Sequence, residues 1–410
     1  VKRSLLFILL LGAVSAAHAQ ETLTDTIRYS TYNLLNFENE AGNHRSVYFR
    51  TIMNELQPDL LTVQELIELP AAQMFLDSVM LPTSPVYNLA TFISSYDTDR
   101  GLYYNSEQFE FLDAEAIDTE LRDINQFHLR HTASGQEFYL FTLHLKATSG
   151  DDAQRAREVD SLRKVTDLIP DSIPFIVSGD FNIYDENEPA YNGLLDTAGG
   201  GYFIDPLQDS LSTFWNNSGN AAYHTQSTRV RNFDGGSTGG LDDRFDMILF
   251  SSAIDAPGGM DYVFGSTVAF GNDGNHYNDS INAMPNTAVT EEVANALHLA
   301  SDHLPLKVLF TMTWTEEEDT TIVDTTTNSI PDLHSLFRVY PSPANTFIHV
   351  ASEHYPAELL LMDMQGHMIL QTTTDSRDFV LELPGLSDGN YLMLWRYGQR
   401  SYMRTLPVIH

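Results

Sequence analysis

Between residues 22 and 312, apolar positions recur now at every second residue and now at helical spacing, which predicts strands interleaved with helices. Residues 27–37 are strand-like. From 45 to 56, Phe49, Ile52, Met53 and Leu56 share one helical face. Residues 59–63 form a short strand that ends in Gln64 and Glu65. Residues 101–104 and 109–112 predict a hairpin about Asn105 and Ser106. Residues 138–145 are a strand, and 153–169 a charged amphipathic helix with Val159, Leu162 and Val165 on its core side. Residues 174–177, 245–250 and 304–310 are further strands. This alternation predicts one α/β domain, with one or two sheets flanked by helices.

Both ends of the chain break the pattern. Residues 1–19 carry a basic start, an apolar run from Leu5 to Val14, and Ala17-His18-Ala19. That is the layout of a secretory signal peptide, with cleavage expected after Ala19. The apolar run is too short to span a bilayer, and no other stretch is long and apolar enough. Residues 313–331 are acidic and Thr-rich and predict a solvated linker. Residues 332–410 return to short β-like runs separated by turn residues, which predicts a small β-sandwich.

Composition narrows the chemistry. The 410 residues include no cysteine, so disulfides and thiolate metal sites are excluded. The net charge of -34 weakens the case for a protein that coats nucleic acid, since such binding relies on Lys and Arg. An enzyme that grips a polyanion briefly through a metal and a few arginines remains compatible with it. An acidic surface also suits an exported protein.

Six stretches place metal-competent or proton-handling groups beside strand-like runs: Asn33; Glu65 after Gln64; His144 before Leu145 and Lys146; Asp180 and Asn182 in Ser-Gly-Asp-Phe-Asn; Asp246; and Asp302 with His303. In an extended chain Asp180 and Asn182 would leave the sheet on the same side. Each has a plain structural reading as a turn residue, a solvated carboxylate or a satisfied core histidine, and Asp246 could simply pair with Arg244. Their joint occurrence beside sheet-forming runs points to one site, because α/β folds gather ligand groups at strand ends. Carboxylates and an Asn carbonyl suit a hard cation, Mg2+ or Mn2+. A cation, a carboxylate to activate water, and His and Asn donors are what phosphoryl transfer needs.

On these residues, in this order, the chain resembles the endonuclease/exonuclease/phosphatase superfamily. The resemblance implies a four-layer α/β sandwich of two packed sheets over residues 22–312. It implies that Glu65 binds the divalent metal with Asn33 and Asp302 near it. Asp180 would orient or activate water, Asn182 and His144 contact the phosphate, and His303 act on it, held by Asp246. Arg100 and Lys146 are looser phosphate-binding candidates; Arg155 or Arg157 could approach the cleft, although solvated helix faces carry such charges routinely, and Arg229 and Arg231, in a Ser/Gly-rich loop, are not counted among the site residues. The implied substrate is nucleic acid, with small phosphoesters or lipids as the alternative. A non-catalytic surface binding protein is the third reading.

The C-terminal module resembles the sorting domain of the type IX secretion system. The likeness rests on Val339-Tyr340-Pro341-Ser342-Pro343, Asp363-Met364-Gln365-Gly366 and Asp388-Gly389-Asn390-Tyr391. It implies the secretion machinery as a partner and a secreted or cell-surface location.

Overall fold

The computed structural model describes residues 22–39, 44–212, 214–255 and 258–315, together with 338–340, 344, 346–351, 357–362, 368–383, 385–387, 389–397 and 400–408. The segment read as a signal peptide lies outside the described residues. So do residues 316–331 of the expected linker and positions 341–343, 363–367 and 388 of the sorting motifs, whereas Thr313, Trp314 and Thr315, also expected in the linker, end a strand of the first unit. The chain divides into two compact units between residues 318 and 319.

The strands of the first unit are β1 (Thr22–Phe37), β2 (Leu60–Leu66), β3 (Tyr87–Leu89), β4 (Asp99–Asn105), β5 (Phe109–Ile117), β6 (Ile124–His131), β7 (Glu137–His144), β8 (Phe175–Asp180), β9 (Phe203–Ile204), β10 (Asp246–Ser251), β11 (Gly259–Tyr262), β12 (Val268–Ala269) and β13 (Leu306–Thr315). They form two sheets, ordered β11-β13-β1-β2-β4-β3, with β12 also on β13, and β5-β6-β7-β8-β10-β9.

Period-two alternation explains why the sheets stack. In β8, Ile176 joins the core shared with the first sheet, while Phe175 and Val177 pack toward helices Asp152–Thr166 and Pro189–Leu195. β10 divides the same way, with Ile248 and Phe250 on one face and Met247 and Leu249 on the other. Helices Ser46–Leu56 and Glu291–Ala300 bring Phe49, Ile52, Val293 and Leu297 to the core of the first sheet. The result is the expected four-layer sandwich: helices, sheet, sheet, helices.

The predicted hairpin about Asn105 is not formed. β4 pairs with β2 and β3 in the first sheet, whereas β5 pairs with β6 in the second. Gln108 N–H donates to Asn105 O, so the turn itself is real, but it carries the chain from one sheet to the other. Local pattern shows that two strands adjoin a turn; it does not show which partners they take.

The layer between the sheets grows more polar toward one end. Tyr29 and Thr62 of the first sheet share hydrogen bonds with Ser178 of the second, Thr62 Oγ1 to Ser178 Oγ at 2.8 Å. Nearer that end, Gln64 Nε2 donates to Thr31 Oγ1 at 2.9 Å and to Thr142 Oγ1 at 3.0 Å. The C-terminal ends of β1, β2, β7 and β8 and the N-terminal ends of β10 and β13 meet there.

The second unit holds β14 (Arg338–Tyr340), β15 (Phe347–Ala351), β16 (Ala357–Met362), β17 (Met368–Thr374), β18 (Asp378–Glu382), β19 (Gly389–Tyr397) and β20 (Arg400–Val408). They form sheets β14-β15-β18 and β17-β16-β19-β20 around one core that includes Ile348, Val350, Leu359, Leu361 and Trp395. This is the two-sheet module expected from the sequence.

Candidate active site

Each side chain reaches the polar end of the sandwich for a local reason. His144 and Asp180 end β7 and β8 and lie opposite each other in the parallel register. Asp246 begins β10 opposite Asp180. Gly179 makes the approach of β7 to β8 possible, for a Cβ there would stand 2.0 Å from Leu143 O. Glu65 follows Gln64 directly, and neighbours in a strand face opposite ways. Glu65 has φ +59°, and the β2 register shifts beside it, so both side chains turn toward the site. Asn182 has φ +51°, so Asp180 and Asn182 do not project as i and i+2 of one extended strand.

Asp180 is the hub. Its Oδ2 accepts from Asn33 Nδ2 at 3.1 Å and lies 3.5 Å from His144 Nε2 and 3.6 Å from His303 Nε2. Its Oδ1 accepts from the Asn182 N–H at 3.1 Å. Asn33 Nδ2 also donates to Glu65 Oε1 at 2.9 Å, and the Asn36 N–H donates to Glu65 Oε2. His303 Nδ1 and Asp246 Oδ2 are 2.7 Å apart. Asn182 donates to Leu145 O, which ties the loop after β8 to the loop after β7. Asp302 Oδ2 accepts from the Ser237 N–H at 2.6 Å. A Cβ on Gly236 would come within 2.7 Å of that carboxylate, so only glycine lets the loop lie against it.

Burial sets the protonation of these groups. Desolvation, then the charges of Asp246 and Glu65, push Asp180 up to about 7 against the pull of His303. Desolvation and the Asp302 charge raise Glu65. Burial disfavours a charged His303, but Asp246 and Asp180 outweigh it and hold the imidazole well above its ordinary range. His144 is pushed well below its ordinary range by burial, with Arg122 and Arg100 acting in the same direction. The site thus pairs a cationic histidine with a neutral one.

The looser candidates divide. Arg100 is fully buried, with Nε and Nη2 unpartnered among the described residues, and burial pushes it down to about 10. Lys146 turns away to Asp151, 3.0 Å from Nζ. Arg244 pairs with buried Asp205 and leaves Asp246 to His303.

Arg157 is solvated, as expected, and pairs with Glu120. Arg155 is not. It is wholly buried, pairs with Glu188 at 2.7 Å, and donates to Lys146 O and Thr148 O. Arg229 is buried as well, and desolvation lowers its affinity for a proton against the pull of the Asp302 charge. A charged residue on a charged helix, or in a Gly-rich loop, gives no periodic signal of burial. Gln226, 2.6 Å from His303 Nε2, and the Ser237 N–H were also not legible, since both lie in irregular chain.

Residues 30–303 match the model of the Endonuclease/Exonuclease/phosphatase family. The chain belongs to that family. It is therefore a hydrolase of phosphoester bonds, in a family whose enzymes depend on divalent metals. Solved structures of this fold include Danio rerio TDP2 complexed with a single-strand DNA product, 18% identical, with a TM-score of 0.50 over 70% of this chain and 98% of that one. The human Nocturnin catalytic domain is also 18% identical, with a TM-score of 0.46 over 72% and 98%. A family protein from Bacteroides thetaiotaomicron is 17% identical, with a TM-score of 0.44 over 71% and 99%. At 18% identity the likeness to TDP2 shows the fold alone. No protein of curated function matches. Residues 338–408 match the secretion system C-terminal sorting domain, which indicates export through the type IX system to the cell surface or beyond. Among the described residues, no helix is long and apolar enough to cross a membrane.

Proposed function

We propose that this family member is an exported, divalent-metal-dependent phosphodiesterase, a nuclease that hydrolyses external DNA or RNA with Mg2+ or Mn2+. One observation carries the reading: Asp180 lies within reach of Asn33, His144, Asn182 and His303, with Glu65 alongside. The residues fit a cation. Donor atoms of Glu65, His144 and Asp180 lie within 4.8 Å of one another, and burial, which raises the proton affinity of both carboxylates, disfavours their charge in a way that a cation would offset.

Glu65 would hold the ion, with Asp302 and Asn33 near it. In this structure Asn33 points its amide nitrogen at the two carboxylates and spends its oxygen on the Leu35 N–H, so it orients those carboxylates. The bound ion would offset phosphate charge and polarise the P–O bond. Asp180 takes the proton of the attacking water as the new O–P bond forms and the ester P–O bond breaks, and the leaving oxygen keeps the bonding pair and is protonated from solvent water. Its affinity, raised to near neutral, suits that task. His303, kept cationic by Asp246, and neutral His144 with Asn182 donate to the phosphoryl oxygens as charge builds on them.

A second reading, hydrolysis of small phosphoesters or lipid head groups, is favoured by the acidic rim. Asp242 and Asp243 lead into β10, and the His303 charge bears on Asp243. These carboxylates repel a polyanion. Plasmid nicking by the full chain in Mg2+, in Mn2+ and in EDTA, with Asp180→Ala beside it, separates the readings. Metal-dependent nicking that vanishes in the variant supports the nuclease. No nicking, with bis(p-nitrophenyl) phosphate still cleaved, selects the second reading.

A further inference from the structure

His303 is held at two points. Asp246 takes Nδ1, which leaves Nε2 as the nitrogen able to face a phosphate. Nε2 lies 3.6 Å from Asp180 Oδ2 and 2.6 Å from the carboxamide nitrogen of Gln226. Asp246 fixes one nitrogen of this buried ring, and Gln226 meets the other. With the ring cationic, both of its nitrogens are donors, so Gln226 holds Nε2 through the carboxamide oxygen, which changes places with the amide nitrogen on a half-turn of the group.

The backbone of Gln226 explains why it can serve as an anchor. It bridges Asp243, which leads into β10 of the second sheet, and also His303, which leads into β13 of the first. The Gln226 N–H donates to Asp243 O at 3.1 Å, and Gln226 O accepts from the N–H groups of Asp242 and Asp243 at 2.9 Å each. On either side, Leu304 N–H donates to Thr225 O and Thr228 N–H to Asp302 O. Residues 225–228 therefore stitch the lead-in to His303 to the lead-in to Asp246, at the end of the sandwich where Asp180 lies. Thr225 and Ser227 are buried, whereas Gln226 is only partly so and its carboxamide meets His303.

We infer that Gln226 is a positioning residue: it sets where the His303 imidazole stands relative to Asp180, and so to the phosphate between them. The inference rests on the phosphodiesterase reading above. A catalytic group displaced by about 1 Å costs on the order of 10²-fold in rate. Because Gln226 acts on the ring and not on substrate binding, the loss belongs in kcat.

The test uses the full chain, bis(p-nitrophenyl) phosphate and Mn2+, comparing wild type with Gln226→Leu, which keeps the bulk and removes the hydrogen bond. The expected result is a kcat lower by about 10²-fold, with KM within about threefold and an unchanged melting temperature. A kcat within about threefold of wild type, or a loss confined to KM, overturns the inference while leaving the phosphodiesterase reading intact. A melting temperature that falls in step with kcat also overturns it, since the residue would then be structural. Should Leu broaden the melt, Gln226→Met carries the same comparison. A wild-type enzyme inert toward every phosphodiester overturns the underlying reading first, and the inference with it.

Discussion

Asp243 shows how a single carboxylate at the rim can be read through its protons. Burial, then the neighbouring Asp242 charge, push it up to about 6 from an ordinary 3.8. Its charged form is therefore disfavoured on folding. Between those two values the folded state binds the extra proton, so stability falls as pH rises through that window and stays reduced above it. Asp243→Asn should unfold at a higher urea concentration than wild type at about pH 8, by an amount on the order of 2 kcal/mol, and match it near pH 4. An equal midpoint at both pH values would contradict the assignment. The same variant, with one acid fewer at the mouth, should bind a polyanion more readily at low salt.

Arg155 and Glu188 act on two elements at once. Arg155, from helix Asp152–Thr166, holds the carbonyls of Lys146 and Thr148 in the loop after His144. Glu188 accepts from the Tyr184 N–H in the loop after Asn182. Breaking a buried pair by removing one partner leaves an uncompensated charge, whereas replacing both is often nearly neutral. Arg155→Met should cost about 3 kcal/mol in denaturant unfolding, and Arg155→Met with Glu188→Leu should recover only the part due to the uncompensated Glu188 charge, since the Lys146 and Thr148 carbonyls and the Tyr184 N–H stay unpaired. Equal destabilisation by the single and double variants would contradict an ion-pair role. This pair also marks where sequence pattern stops being informative. The strands and their polar ends were legible, because apolar runs closing on Glu65, His144 and Asp180 carry a period. Burial of Arg155 was not, since it sits among charged helix neighbours, and the Asn105 turn did not reveal that its two strands join different sheets. Gln226 lies in chain with no period at all.

At the scale of the whole molecule, the candidate site and the sorting module belong to separate compact units. Residues 22–315 contain both packed sheets and every side chain of the site. A chain ended at Thr315 should melt cooperatively and retain kcat and KM within about twofold of the full chain, as expected of a domain with its own core. Loss of activity on truncation, with the fold kept, would show that the C-terminal unit contributes to catalysis. The order of the site residues along the chain was legible because family motifs fall at strand ends. The placing of Asp242 and Asp243 beside the site, on which the second substrate reading rests, was not, since it depends on loops that meet only in the folded chain.

Hydrolysis of bis(p-nitrophenyl) phosphate by the purified full chain, followed in Mg2+, in Mn2+ and in EDTA beside Asp180→Ala, tests metal-dependent phosphodiester chemistry at Asp180 most directly. The expected result is turnover that requires metal, returns when metal is restored after EDTA, and falls by at least about 10³-fold in the variant. Turnover that persists in EDTA, or an Asp180→Ala protein as active as wild type, would contradict it.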